Sequence, residues 1–163
     1  MEEKKIVQIQ YLEIEQQSAL SQSDFDLLEE AKAALKNAYA PYSNFLVSAA
    51  ARLVNGKILT GTNQENASFP VGLCAERVLL SAISSIYPGV AIESIAITYQ
   101  PQNGNSQVPI SPCGVCRQAL NEYEIRLNQP IRLILGGLTG PVWIFDKCSE
   151  LLPFDFNGTH LKK

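Results

Sequence analysis

Two short runs constrain what this chain can fold into more than any other feature: V-G-L-C-A-E-R, with Cys74 and Glu76, and S-P-C-G-V-C-R, with Cys113 and Cys116. The C-x-x-C spacing lets two sulfurs converge on one ion. A third thiolate from a distant segment joins them only if the fold brings the two runs together, so such a site forms after folding. Zinc takes thiolate and imidazole ligands, and the chain has one histidine, His160, so a metal site here has to be built from sulfur. Three protein ligands leave one position for water, as in catalytic zinc sites, whereas a structural zinc usually takes four. Glu76, two residues from Cys74, is poorly placed to coordinate the same ion from a helix start and well placed to carry protons beside it.

The surrounding residues suit that reading. With Cys74 in the first turn of one helix and Cys113 and Cys116 at the start of another, unpaired backbone N–H groups and the positive helix ends favour thiolates. Pro112 fits a first helical turn because no N–H is needed there. Three thiolates around Zn2+ carry net negative charge; Arg77, with Arg117, is expected to offset it by hydrogen bonding to the sulfurs. Two alternatives stay open for the cysteines: Cys113 and Cys116 alone also suit a redox pair or a structural clasp, and Cys148 is either a fourth ligand or a buried small apolar residue. His160, near a charged terminus, reads as solvated.

A chain of 163 residues with 46% hydrophobic content suits one domain with a sizeable core. A net charge of -3 argues against a binder of nucleic-acid polymers, which needs concentrated positive charge; a small neutral ligand fits better. The run M-E-E-K-K-I-V lacks the apolar core of a signal peptide, no apolar run approaches a membrane span, and the expected location is the cytoplasm, where thiols stay reduced. Residues 1–20 read as an extension, with a strand over 4–14, and 21–163 as the main domain. Helical spacing runs from Asp24 to Ala40, with Ser23 as N-cap. Phe45–Val54 and Lys57–Thr62 flank Asn55-Gly56, the pair suited to a type I′ hairpin turn. Leu73–Ile86 and Pro112–Tyr123 read as helices; Ser94–Tyr99, Ile131–Leu135 and Val142–Phe145 as strands; 147–152 as a short helix. Residues 101–108 read as a surface loop, and Gly136, Gly137 and Gly140 as turn residues. Strands alternating with helices indicate an α/β layered domain.

A non-ligand glutamate beside a cysteine-built zinc site, with proline ahead of C-x-x-C, is the pattern of zinc deaminases. The match is closer still through P-Y-S-N-F at 41–45, G-T-N-Q-E-N-A-S at 61–68, C-A-E-R at 74–77, P-C-G-V-C-R-Q at 112–118, and E-L-L-P followed by Phe156. In these segments the chain resembles the tetramer-forming cytidine deaminases. The resemblance implies a three-layer α/β/α fold with a mixed central sheet, one Zn2+ per subunit on Cys74, Cys113 and Cys116, and hydrolytic loss of the C4 amino group of cytidine or 2′-deoxycytidine as ammonia, in pyrimidine salvage. It further implies that Glu76 moves the protons, Asn63 and Glu65 bind ribose hydroxyls, Phe45 packs on the base, and the backbone at Ala75 meets the base's polar edge. Phe156 would reach a neighbouring subunit's site in a homotetramer. Two departures are Ser48, where the family has no side chain, and Gln64, in place of an aliphatic residue. A deaminase of a modified cytosine nucleoside such as blasticidin S shares C-A-E and P-C-x-x-C and is the competing reading.

Overall fold

A mixed six-stranded sheet separates one helix on one face from two on the other. The computed structural model describes residues 2–161, the side chain of His160 excepted, so the reading of that histidine lies outside the described residues. In chain order the elements are β1 (Leu12–Ile14), α1 (Gln22–Ala34), β2 (Phe45–Leu53), β3 (Ile58–Thr62), α2 (Ala75–Ile86), β4 (Ile92–Pro101), α3 (Gly114–Leu127), β5 (Arg132–Gly136) and β6 (Val142–Phe145). The sheet order is β1-β6-β5-β4-β2-β3, antiparallel except for β4 beside β5. No helix among the described residues is long and apolar enough to cross a membrane.

Strand alternation divides the core. Ala49, Ala51, Leu53, Ile95, Ile97, Leu133 and Leu135 point to the side packed by α2 and α3. Ala50, Ala96, Ile134 and Val142 point to the side packed by Leu27, Leu28 and Ala31 of α1. Both faces of the central strands are therefore buried, which is why β2 and β4 read as nearly continuous apolar runs. Ser48, the departure noted above, is fully buried, and its hydroxyl donates to the Ala31 carbonyl of α1.

Several local expectations are corrected. Ser21, not Ser23, caps α1, accepting from the Asp24 N–H at 3.1 Å; the Ser23 hydroxyl is taken by Arg52. The helical spacing continues to Ala40, but α1 ends at Ala34, a 3-10 turn follows over Leu35–Asn37, and Ala38 is extended. The chain leaves the helix there because Tyr39 pairs with the backbone of Asn63 and Glu65 at 3.0 and 2.8 Å. The β2–β3 hairpin forms, but its turn is not type I′, since Asn55 is not at positive φ and only Gly56 is, at 78°. Gly56 N–H bonds to the Leu53 carbonyl and Leu53 N–H to the Lys57 carbonyl, the pattern of a turn followed by a left-handed glycine bulge. The strand expected over residues 4–14 enters the sheet only at Leu12–Ile14. The 101–108 loop is anchored through buried Ser106, whose hydroxyl donates to the Tyr99 carbonyl and accepts from Leu138 N–H. Gly137 and Gly140 lie in the β5–β6 turn, where a Cβ would come within 2.3 Å of the Ser106 and 2.2 Å of the Gln107 carbonyl oxygen.

Candidate metal centre and its cavity

The two cysteine runs meet where α2 and α3 begin. Cys74 is the N-cap of α2 and Cys113 the N-cap of α3, each with extended backbone, and Cys116 lies in the first turn of α3. The Cys74 and Cys113 sulfurs are 3.9 Å apart, those of Cys113 and Cys116 3.6 Å, and all three lie within 4.8 Å of one another. Tetrahedral zinc with Zn–S near 2.3 Å holds its sulfurs about 3.8 Å apart. The donor set and its spacing therefore fit that ion. Cys148 is not part of the cluster: its sulfur is fully buried against the Ile131 carbonyl at 3.4 Å, and burial pushes its thiol pKa up.

The neighbouring Cys116 thiol, partly opposed by burial, brings the Cys74 pKa down to about 6. Cys74 in turn, with burial, pushes the Cys116 pKa up. Arg77 is exposed and makes no hydrogen bond to a sulfur among the described residues; its charge favours the Cys74 thiolate. Arg117 does not serve the sulfurs: its guanidinium donates to the Pro112 carbonyl at 2.8 Å and the Leu151 carbonyl at 3.3 Å, tying the start of α3 to the C-terminal segment.

A cavity of about 340 Å³ opens over the cluster, lined at one end by Cys74, Cys113, Ala75 and Glu76 and on its walls by Val47, Asn63, Glu65 and Phe69. Glu76 is 5% exposed, and burial raises its pKa above the ordinary carboxylate value, with its own backbone N–H and Cys116 pulling the other way. Asn63 grips the end of β2, its carboxamide accepting from Val47 N–H and donating to the Phe45 carbonyl, both at 2.9 Å. Glu65 accepts from the N–H groups of Tyr42 and Ser43 at 2.8 and 3.2 Å and from the Ser43 hydroxyl. The Ser43 hydroxyl bond is the main cause that holds Glu65 below the usual carboxylate pKa. The 63–65 segment is held in turn by paired backbone bonds between Gln64 and Leu73, both 2.9 Å, which lead directly into Cys74.

Not every expected residue reaches the cavity. Phe45 lies outside its lining, with its ring stacked on Tyr99 at 5.2 Å between centroids. Phe156 is exposed and also outside the lining, its carbonyl accepting from Gln118 of α3 at 2.7 Å. Other residues take part to which the sequence motifs assign no role. Ile110 and Ser111 line the cavity just ahead of P-C-x-x-C, and a lining role was readable only from their closeness to Cys113. Gly61, in the strand ahead of Asn63, is where α2 approaches the sheet: a Cβ there would lie 2.5 Å from Leu79 N and 2.7 Å from the Ala75 carbonyl oxygen. Both atoms are helix backbone, so α2 must shift to admit a side chain. Gly61→Ala is expected to cost about 1–3 kcal/mol of stability and, by moving Cys74 and Glu76, to weaken zinc retention; thermal denaturation and metal titration check this, and a variant unchanged in both would refute it.

Residues 21–128 match the family model described as the cytidine and deoxycytidylate deaminase zinc-binding region. The cytidine deaminase of Halalkalibacterium halodurans is 35% identical over 132 residues, covering 81% of this chain and 92% of that protein. One from Mycobacterium tuberculosis is 36% identical over 113 residues, 67% of this chain and 80% of its own. The crystal structure of cytidine deaminase from Burkholderia pseudomallei superposes with a TM-score of 0.69 at 38% identity, over 84% of this chain and all of that one.

Proposed function

This chain belongs to the cytidine deaminase family, and we propose from that premise that it hydrolyses cytidine and 2′-deoxycytidine to uridine and 2′-deoxyuridine, releasing ammonia. The observation that carries the reading is the convergence of three sulfurs near a buried glutamate, with Cys74, Cys113 and Glu76 lining a cavity of about 340 Å³. That size is in the range of small-molecule pockets. Cys74, Cys113 and Cys116 would hold one zinc ion per subunit, whose contribution when bound is to lower the pKa of water from about 15.7 toward about 7.

The remaining chemistry belongs to the chain's own residues. Glu76 accepts a proton from the attacking water and delivers it to ring N3; it then takes the second proton, from the hydroxyl formed on C4, and passes it to the amine as the C4–N bond breaks, so that uridine and ammonia leave. Burial raises its pKa above the ordinary carboxylate value, which favours the half of the cycle in which Glu76 holds a proton. Asn63 and Glu65 take the ribose hydroxyls; a carboxylate offers about four acceptor sites, and the three bonds to Tyr42 and Ser43 leave capacity for one hydroxyl. Ala75 offers backbone to the base's polar edge and Phe45 its ring to the base's face. The positive charge of Arg77 offsets the anionic sulfurs. Among the described residues the cavity lining contains no Lys or Arg and carries Glu65, so a 5′-phosphate finds no counter-charge there, which favours nucleosides over nucleotides.

We assign the protein to the cytoplasm and to a homotetramer in which Phe156, 61% exposed in the single subunit, completes a neighbour's site. The modified-nucleoside reading has no support from the relatives above, which are named cytidine deaminases. Ammonia release by zinc-loaded protein from cytidine, deoxycytidine, cytosine, CMP and blasticidin S tests the assignment. Turnover of the two nucleosides is expected, with CMP and free cytosine far slower. Turnover of blasticidin S alone would move the assignment to the modified-nucleoside reading, and a folded, zinc-replete protein inert to all five would end the catalytic one.

A further inference from the structure

The matched family region begins at residue 21, and the segment ahead of it ends in β1, which lies at one edge of the sheet with no second partner strand among the described residues. β1 is held to β6 by three residue pairs and by Trp143, whose indole N–H donates to Glu13 Oε2 at 2.6 Å. Upstream, K-K-I-V-Q-I-Q-Y has the β-branched and aromatic content of a strand yet is assigned to none, and Ile6, Val7 and Ile9 are 80%, 53% and 47% exposed. A strand-forming segment that runs into an open sheet edge lacks only a partner.

We infer that residues 5–13 of two copies of this chain pair antiparallel with each other along the open edge of β1, joining two sheets edge to edge. The segment is complementary to itself about Ile9. With Ile9 opposite Ile9, Val7 faces Tyr11, Ile6 faces Leu12, Gln8 faces Gln10, and Lys5 faces Glu13. Every pair then joins like faces of the two strands. On one face Val7 and Ile9 extend the cluster in which the Tyr11 ring lies 5.7 Å from Trp143 and 5.5 Å from Phe145. On the other, Ile6 and Leu12 continue toward Ile14, which packs on the α1 side of the core. A slip of one residue sets Ile6 against Glu13 or Lys5 against Leu12, and a parallel pairing sets lysine on lysine. The charges thus select a second copy of this segment, running antiparallel. Two isolated strands are marginal in water, but here each is already continuous with a six-stranded sheet. The pairing lies at the edge opposite β3 and away from the cysteine cluster.

Variants of the full, zinc-loaded chain that each add one cysteine to the four native ones test this under mild oxidation, read on non-reducing denaturing gels with peptide mapping of the linked position. Directly opposed residues lie about 5 Å apart and diagonal ones about 7–8 Å, beyond the reach of a disulfide, which needs Cα atoms closer than about 7 Å. Ile9→Cys is expected to give a covalent dimer linked through position 9, and Gln8→Cys to give none. Adding Lys5→Glu to Ile9→Cys should lower the dimer yield severalfold, and adding Glu13→Lys as well should restore it. Unchanged nucleoside turnover shows that each variant folds. No dimer from Ile9→Cys, as when the segment folds back on its own chain or docks elsewhere, overturns the inference. So do equal yields at positions 8 and 9, or indifference to Lys5→Glu.

Discussion

Replacing Glu76 with glutamine is expected to cut cytidine turnover by roughly 10²–10⁴-fold, the usual contribution of a positioned acid–base group, while the protein keeps its zinc. The substitution preserves size and hydrogen bonding in a site that is 95% buried, with Glu76 only 5% exposed, so the fold has no reason to respond. What it removes is the proton. A carboxyl with a pKa raised by burial can accept a proton and hand it on within one cycle; a carboxamide can do neither. Metal content measured beside turnover separates the two possible roles. A variant that loses activity together with zinc would make Glu76 part of the metal-holding structure, and one that keeps full activity would remove it from the mechanism.

The largest effect on stability is expected at Glu124, far down α3 from the cysteines. Its carboxylate is 8% exposed and accepts from three backbone N–H groups: Ile131 at 2.7 Å, Cys148 at 2.7 Å and Ser149 at 3.0 Å. These bonds lock the helix that carries Cys113 and Cys116 to the start of β5 and to the 3-10 turn Cys148–Leu151. Glu124→Ala leaves those donors without a partner, and each buried unsatisfied donor costs about 1–3 kcal/mol. A total of about 3 kcal/mol or more is expected, which for a chain of this size lowers the thermal midpoint by roughly 6–12 °C. Glu124→Gln, which keeps one acceptor oxygen, should fall between wild type and alanine. An alanine variant that melts with the wild type would show that water or backbone rearrangement replaces the carboxylate.

Glu124 carries no signal in the sequence, and Gly61, although it opens the G-T-N-Q-E-N-A-S run, carries none for its packing role. One is a glutamate on a polar helix and the other a glycine in a strand, and each acquires its role from a backbone that arrives from elsewhere in the chain. The cap of α1 and the β2–β3 turn make the same point at short range. Ser21 and Ser23 are equally good caps by residue type, and Asn55-Gly56 suits two turn geometries. Contact with Arg52 and the bulged pairing of Leu53 with Lys57 decided between them. Arg117 was expected at the sulfurs because it follows Cys116, but on α3 it meets the Pro112 and Leu151 carbonyls instead.

What the sequence by itself determined is the chemistry and the local order: thiolates at 74, 113 and 116, a carboxylate at 76, and strands and helices whose apolar spacing is set by neighbours within a turn or two. Residue type fixes what a side chain can ligate or titrate, and short-range periodicity fixes which face is apolar. Tertiary structure alone decided the rest: the parallel pairing of β4 with β5, the meeting of two helix starts with sulfurs 3.6 and 3.9 Å apart, the burial that raises Glu76, and the open edge at β1. Each of these depends on partners distant in the chain, selected by packing both faces of one sheet at once, and no window of neighbouring residues contains that information.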